Sequence, residues 1–246
     1  MKKSWIILSI SALLISLQAC DPAQLEGIMN GIPQQSGSTP LSNAEVIQGL
    51  REALKVGAQN AVSFTGKDGG FANNPIIRIP FPAEAQKVKD KAIQLGLNAE
   101  VQKFEANLNR AAELAAKEAV QVFVNSITSM SVEDGFAILK GDSTAATAYL
   151  KRTTTAELTN KFSPIVQKAI DEVKLTSYWS PLANAYNTAT VLTGGQAVNP
   201  DLNAYVTEKA MAGLFHYVGE EEKKIRKNPA ARVSDILKKV FGSLDK

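Results

Sequence analysis

The stretch 98-NAEVQKFEANLNRAAELAAKEAVQVFVNSITS-129 decides how this chain is read. Val101, Phe104, Leu108, Ala111, Ala115, Ala119 and Val122 recur every three or four residues, the spacing that lines one face of an α-helix. Gln102, Glu105, Asn109, Glu113 and Lys117 fall on the opposite face. Asn98 is suited to cap the start, and the predicted helix runs to about Ser129. After Ala119 the apolar residues Val120, Val122, Phe123 and Val124 spread almost all round, which places the second half at the centre of a core. The alanines let a second helix approach closely.

Working outward, the same period recurs on both sides. Ser42 followed by Glu45 forms a capping-box pattern, and Ile47, Leu50, Leu54, Ala58 and Ala61 then carry a helix to about Phe64. A helix from Pro82 to about Leu95 stops at Gly96. Ser131 with Asp134 caps a short helix ending at Gly141, and Ser143 starts another through Leu150. Thr155 opens a helix toward Phe162, and Pro164 is expected to break or kink the run before 165–173. Further helices are expected around 181–191, ahead of a Gly194-Gly195 loop, from Asp201 to Lys227, and over about 230–241 beyond Asn228-Pro229. With no repeat period and no run of strands, the class is all-α: a single multi-helix, bundle-like domain.

One segment interrupts this pattern. Between Gly66 and Pro82 stand Gly69-Gly70, Asn73-Asn74 and three prolines, which cannot continue a helix. An ordered, extended Gly/Pro-containing loop is expected over 66–82. Ile76-Ile77-Arg78-Ile79 has strand composition, so the loop has room for a minor β pair.

The N-terminus reads as an address. Lys2 and Lys3 precede an apolar stretch, Trp5 to Leu17, and Ala19 precedes Cys20, the pattern of a secretory leader. The stretch is short for a bilayer span, which takes about 20 residues. Leu17-Gln18-Ala19-Cys20 resembles the lipobox of bacterial lipoproteins, although Gln18 departs from the small residue usual there. The resemblance implies that 1–19 is a cleaved signal peptide and that Cys20 is acylated, giving a stable membrane anchor. Residues 20–40, rich in Gly, Pro, Ser and Gln, are expected to form a flexible tether to a helical domain over 41–246. The expected location is the bacterial envelope, on the periplasmic or outer-membrane side.

Composition limits the chemistry. Cys20 is the single cysteine, so no intramolecular disulfide holds the domain and no thiol nucleophile remains after acylation. A single histidine, His216, argues against a histidine-rich metal site. Removing residues 1–19 from 246 leaves 227, with 25 of the 27 basic residues facing 24 acidic ones. That near-neutral balance offers no electrostatic case for nucleic acid.

Several phrases in order then carry a family likeness: Leu41-Ser42, Gly69-Gly70-Phe71, Ile79-Pro80-Phe81-Pro82, Asn109-Arg110-Ala111-Ala112-Glu113 and Ile138-Leu139-Lys140-Gly141. Ala145-Ala146-Thr147-Ala148-Tyr149, Tyr205-Val206-Thr207-Glu208-Lys209, Gly213-Leu214-Phe215, Glu221-Glu222-Lys223-Lys224-Ile225-Arg226 and Lys238-Lys239-Val240-Phe241-Gly242 continue it. Over about residues 41–242 the chain resembles the bacterial family catalogued as domain of unknown function 4197. The resemblance implies an exported helical protein and brings no functional residues with it.

The candidate contacts come from the residues themselves. Glu105, Asn109 and Glu113 share one helical face with Arg110 beside them, positioned to hold a polar ligand or a cation. The same pattern also describes a solvated face or a hydrogen-bonded seam. A di-metal bundle is ruled out because Glu113 is followed three residues on by Ala116, where the motif needs histidine. His216 with Glu220 one turn later could serve as a general base, but no G-x-S-x-G nucleophile accompanies it. Gly66-Lys67-Asp68-Gly69-Gly70 lacks phosphate-loop spacing and reads as a turn in which glycine supplies a positive φ. Long ordered loops are disproportionately functional, which makes 66–82, with Phe71 and Arg78, the favoured interaction surface. The run EEEKKIRK over 220–227 offers Glu220–Lys224 and Glu222–Arg226 pairs on an exposed face. With Arg232, Lys238 and Lys239 its basic residues could touch anionic headgroups. These features favour a non-enzymatic envelope module that binds a protein partner or an apolar ligand, with no cofactor and no metal. The alternative is an enzyme using Glu105 or Glu113 with Arg110.

Overall fold

A computed structural model describes residues 42–82, 86–172, 201–232 and 234–242, with positions 179, 184, 187, 188 and 197. The leader, Cys20, the tether, Leu41 and the Gly194-Gly195 loop lie outside the described residues, as does most of the helix expected around 181–191. The elements are α1 (Asn43–Thr65), α2 (Gln86–Gln94), α3 (Asn98–Lys117), α4 (Ala119–Thr128) and α5 (Val132–Lys140). Then follow α6 (Ala145–Asp171), α7 (Leu202–Lys227), a 3-10 turn (Pro229–Ala231) and α8 (Asp235–Gly242). The fold is all-α and bundle-like. Among the described residues there is no strand, and no helix is long and apolar enough to cross a membrane.

Helices whose starts are written in adjacent residues begin where expected. The Ser42 hydroxyl accepts the Glu45 N–H while the Glu45 carboxylate accepts the Ser42 N–H, so two otherwise orphaned donors are satisfied. Ser131 and Asp134 repeat the device on α5, and Asp201 caps α7 through the Ala204 N–H. These caps depend on residues within three positions of each other, so sequence reveals them.

Several expectations need correction. The long helix divides at Glu118, whose N–H turns back to Ala115 O at 3.0 Å in a tighter 3-10 step. Asn98 is already inside α3 rather than capping it, and Leu97 at the cap position makes no side-chain bond. The second half is also not buried all round: Val122, Phe123 and Ile127 sit in the core, and the first half is buried as deeply. In α3, Phe104, Leu108, Ala111, Ala112, Ala115 and Ala116 are buried, whereas Val120 and Val124 of α4 stay partly exposed.

Pro164 neither breaks nor ends α6. Leu150, Thr154, Leu158, Phe162, Val166 and Ile170 form an unbroken i, i+4 stripe, all buried, that crosses the proline. Pro164 itself is exposed, and so is Asn160, whose carbonyl loses the usual partner to the proline ring and can be solvated. Burial of the stripe, about 1.5–3 kcal/mol per large side chain, outweighs the cost of one missing hydrogen bond. The last helix begins at Asp235 rather than at 230, because Pro229–Ala231 closes into a 3-10 turn.

α7 packs against α6, α1 and α3, and α3 also packs against α6. Gly213 of α7 permits one close approach: a Cβ there would stand 2.6 Å from the Phe71 ring. That contact brings the irregular segment into the core.

Candidate functional site

The middle of the polar face of α3 is not solvated, although Gln102 and Lys117 at its ends are exposed. Glu105, Asn109 and Glu113, one turn apart, are buried at 8%, 1% and 2% exposure. Buried polar atoms must find partners, and these find theirs in the segment between α1 and α2. Glu113 Oε1 accepts the consecutive N–H groups of Phe71 and Ala72, both at 3.2 Å. Asn109 Oδ1 accepts the Ile79 N–H at 2.8 Å, and its Nδ2 donates to Ile79 O at 2.8 Å. Glu105 receives Arg78 Nη2 on one oxygen and Lys89 Nζ on the other, each at 2.7 Å. Arg110 bridges the exposed Asp68 carboxylate and Glu113, the latter at 3.3 Å. Hydrogen bonding to Asp68 raises the Arg110 pKa above its ordinary value, so the guanidinium is charged throughout.

Asn109 explains why the strand-like Ile76–Ile79 stretch makes no β pair. Its side-chain amide donates to and accepts from the same residue, Ile79, as a neighbouring strand would. α7 holds the other side of the segment. Asn74 Nδ2 donates to the Tyr217 hydroxyl at 2.7 Å, and the Tyr205 hydroxyl donates to Pro80 O at 3.3 Å. Gly69, at φ +76, makes the tight turn expected of it.

The segment therefore alternates. Phe71, Asn74, Ile77, Ile79 and Phe81 point inward, while Asn73, Pro75, Ile76, Arg78 and Pro80 point outward. Phe71, expected at an interaction surface, is wholly buried against Gly213 and belongs to the core. Ile76 is 67% exposed. Beside it the Phe64 ring stacks on Tyr217 at 4.3 Å, and Lys67 Nζ lies 4.5 Å from the Phe64 centroid.

All six residues singled out from sequence, Phe71, Arg78, Glu105, Asn109, Arg110 and Glu113, thus meet at this junction. Sequence reasoning missed Asn74, Tyr205 and Tyr217, whose partners lie far along the chain. The signal for a buried seam was faint: three polar residues recurring at i, i+4 and i+8 along one helical face. His216 is exposed, and the Glu220 carboxylate one turn on is bonded to Lys223, which lowers its pKa. Among the described residues no group of three or more His, Cys, Asp or Glu is placed to hold a metal ion.

A second seam lies in the run 220–227. Glu222 is buried and accepts the Ala146 and Thr147 N–H groups at 3.0 and 2.8 Å, together with the Thr147 hydroxyl at 2.7 Å. Thr144, at the cap position of α6, makes no side-chain cap bond, so a carboxylate from α7 caps that helix. Arg226 bonds Glu222 at 3.0 Å and donates to Ile138 O near the end of α5 at 2.8 Å. The face expected to be exposed is therefore partly internal, and Glu220 pairs with Lys223 rather than Lys224. Of the basic cluster expected near the C-terminus, Arg226 and Arg232 turn inward, the latter onto the carbonyls of Ile225 and Arg226.

The profile of one protein family, described as Protein of unknown function (DUF4197), matches residues 40–242. No curated protein and no solved structure matches the chain.

Proposed function

The chain belongs to the DUF4197 family of proteins of unknown function, and from that premise we propose that it is an exported, lipid-anchored envelope protein that binds a protein partner through the segment 66–82. The observation that carries this reading is the way the segment is held. Three buried polar side chains of α3 and two tyrosines of α7 hold a non-helical segment, Glu113, Asn109 and Tyr205 through its backbone and Glu105 and Tyr217 through its side chains. A preorganised loop loses little entropy on binding. Outward it presents Pro75 and Ile76, with Phe64 alongside, as an apolar tip among Lys67 and Arg78. Apolar side chains grouped on a rigid surface are a common mark of a protein contact. An enzyme built on Glu105 or Glu113 would need those carboxylates open to substrate, and both are bonded to the protein itself.

A photo-crosslinking residue at Ile76, introduced in the full chain and activated in intact envelopes, tests the contact. A discrete adduct is expected from position 76 and none from the exposed position Glu157 on α6. No adduct from 76, or the same adducts from both, would sink the reading. For the anchor, Cys20→Ser is expected to move the protein from the detergent phase to the aqueous phase. Unchanged partitioning would remove lipidation from the proposal.

A further inference from the structure

A groove of about 410 Å³ runs between residues 76–80 and α7. Its size falls in the range of small-molecule sites, about 300–1,000 Å³. Three of its lining side chains, Arg78, Lys209 and His216, carry or can carry positive charge, and none of the lining residues is acidic. The rest of the wall is apolar or small: Ile76, Ile77 and Pro80 on the loop side, Ala212 and Gly213 on the helix.

The cations are arranged rather than scattered. Lys209 and His216 are seven residues apart on α7, about 10.5 Å of helical rise, and so share a face. Between them Ala212 and Gly213 leave a notch over which the loop passes. Arg78 stands on the opposite wall. It shares Glu105 with Lys89, so two cations face one carboxylate and a positive charge remains. Its Nη2 serves Glu105, one of the five N–H donors of a guanidinium, and the residue lines the groove. Lys209 Nζ sits 5.7 Å from the Tyr205 ring, and the Tyr205 hydroxyl is fixed on Pro80 O. The acidic neighbour of His216 is Glu220, whose carboxylate is bonded to Lys223.

We propose that this groove binds the phosphate group of an amphiphilic ligand, with Arg78, Lys209 and His216 on the oxyanion and Ile76, Ile77 and Pro80 against the apolar part. Arginine and lysine together form strong charge-assisted bonds to phosphate oxygens. The apolar wall beside them distinguishes an amphiphile from a bare anion. The proposal shares Ile76 with the protein contact above, but its cations Lys209 and His216 stand on α7, outside that contact. Phosphate binding can therefore fail while crosslinking at Ile76 succeeds, and the reverse.

The test is calorimetric titration of the full chain in a non-ionic detergent with dioctanoyl phosphatidic acid and, separately, inorganic phosphate. The Lys209→Gln/His216→Gln double variant alters only exposed side chains, and Lys161→Gln on α6 is the charge-matched control. The expected result is saturable binding of the phosphatidic acid, weakened at least about tenfold (about 1.4 kcal/mol) in the double variant and unchanged in the control. Tighter binding of the amphiphile than of inorganic phosphate supports a lipid source. Equal affinity for both keeps the oxyanion site but assigns it to a free phosphate ester. No saturable binding of either probe, or equal binding by the double variant, overturns the proposal.

Discussion

Glu113 and Glu222 solve one problem in two places. Each is a buried carboxylate that accepts two consecutive backbone N–H groups from a distant segment, and each has an arginine on its own helix. The settings differ. Glu113 holds an irregular loop against α3, and its arginine, 43% exposed, also reaches the outlying Asp68. Glu222 replaces a missing cap at the start of α6, and its arginine, 14% exposed, ties in the end of α5. The first seam lies at the rim, where one side of the pair is wet. The second joins three helices inside. At Glu222 the arginine is more buried and the accepted bonds are more numerous, and on both counts that seam is expected to contribute more.

The sharpest test of that statement is Glu222→Ala. It leaves the Ala146 and Thr147 N–H groups and a largely buried guanidinium without their acceptor. A loss of about 3–5 kcal/mol is expected, since removing one partner strands a buried charge. It would appear in urea unfolding as a lower midpoint for the whole cooperative transition. A loss under about 1 kcal/mol would break the comparison.

Glu113→Ala should cost less, about 2–3 kcal/mol, because Arg110 keeps Asp68 and exposure to water. Its effect should also be local. Hydrogen exchange is expected to speed at the Phe71 and Ala72 amides while those of Ala146 and Thr147 keep their protection. Equal deprotection at both seams would show that they are one cooperative unit.

The smallest effect belongs to an ordinary local cap. Ser131→Ala is expected to cost about 1 kcal/mol, the usual worth of an N-cap. It also carries a pH signature. The Ser131 hydroxyl, with further help from the Ser131 N–H and Arg152, holds the Asp134 carboxyl below its ordinary value. A depressed folded pKa stabilises above the ordinary aspartate range, near about 3.9, and that contribution fades as pH falls through the lower folded value. Wild type should therefore lose more stability than Ser131→Ala between about pH 5 and pH 2. Parallel pH curves for the two would show that the box contributes nothing.

How far the chain could be read depends on the distance between interacting residues. The capping boxes at Ser42 and Ser131 and the cap at Asp201 were legible, because each involves partners three positions apart. Gly69, Gly96 and the Asn228-Pro229 break were legible for the same reason: each acts on its own backbone. The candidate residues at the α3 face stand close together, but sequence did not show the partners they bond. Glu113 meets residues 41 and 42 positions away, and Asn109 meets one 30 away. Pro164 misled because its cost is local and visible, while the stripe that overrides it is favourable only once α6 is packed against α7 and α3.

Helical class, the positions of most helices and the interruption after Thr65 follow from short-range chemistry: periodicity, caps and glycine or proline punctuation act within one or two turns, and the chain states them directly. Whether a polar row faces water or another segment is not stated there. A carboxylate accepts any pair of free N–H groups equally well, so Glu113 and Glu222 acquire their roles only when packing brings residues 71–72 and 146–147 within reach and removes the water that would otherwise serve them.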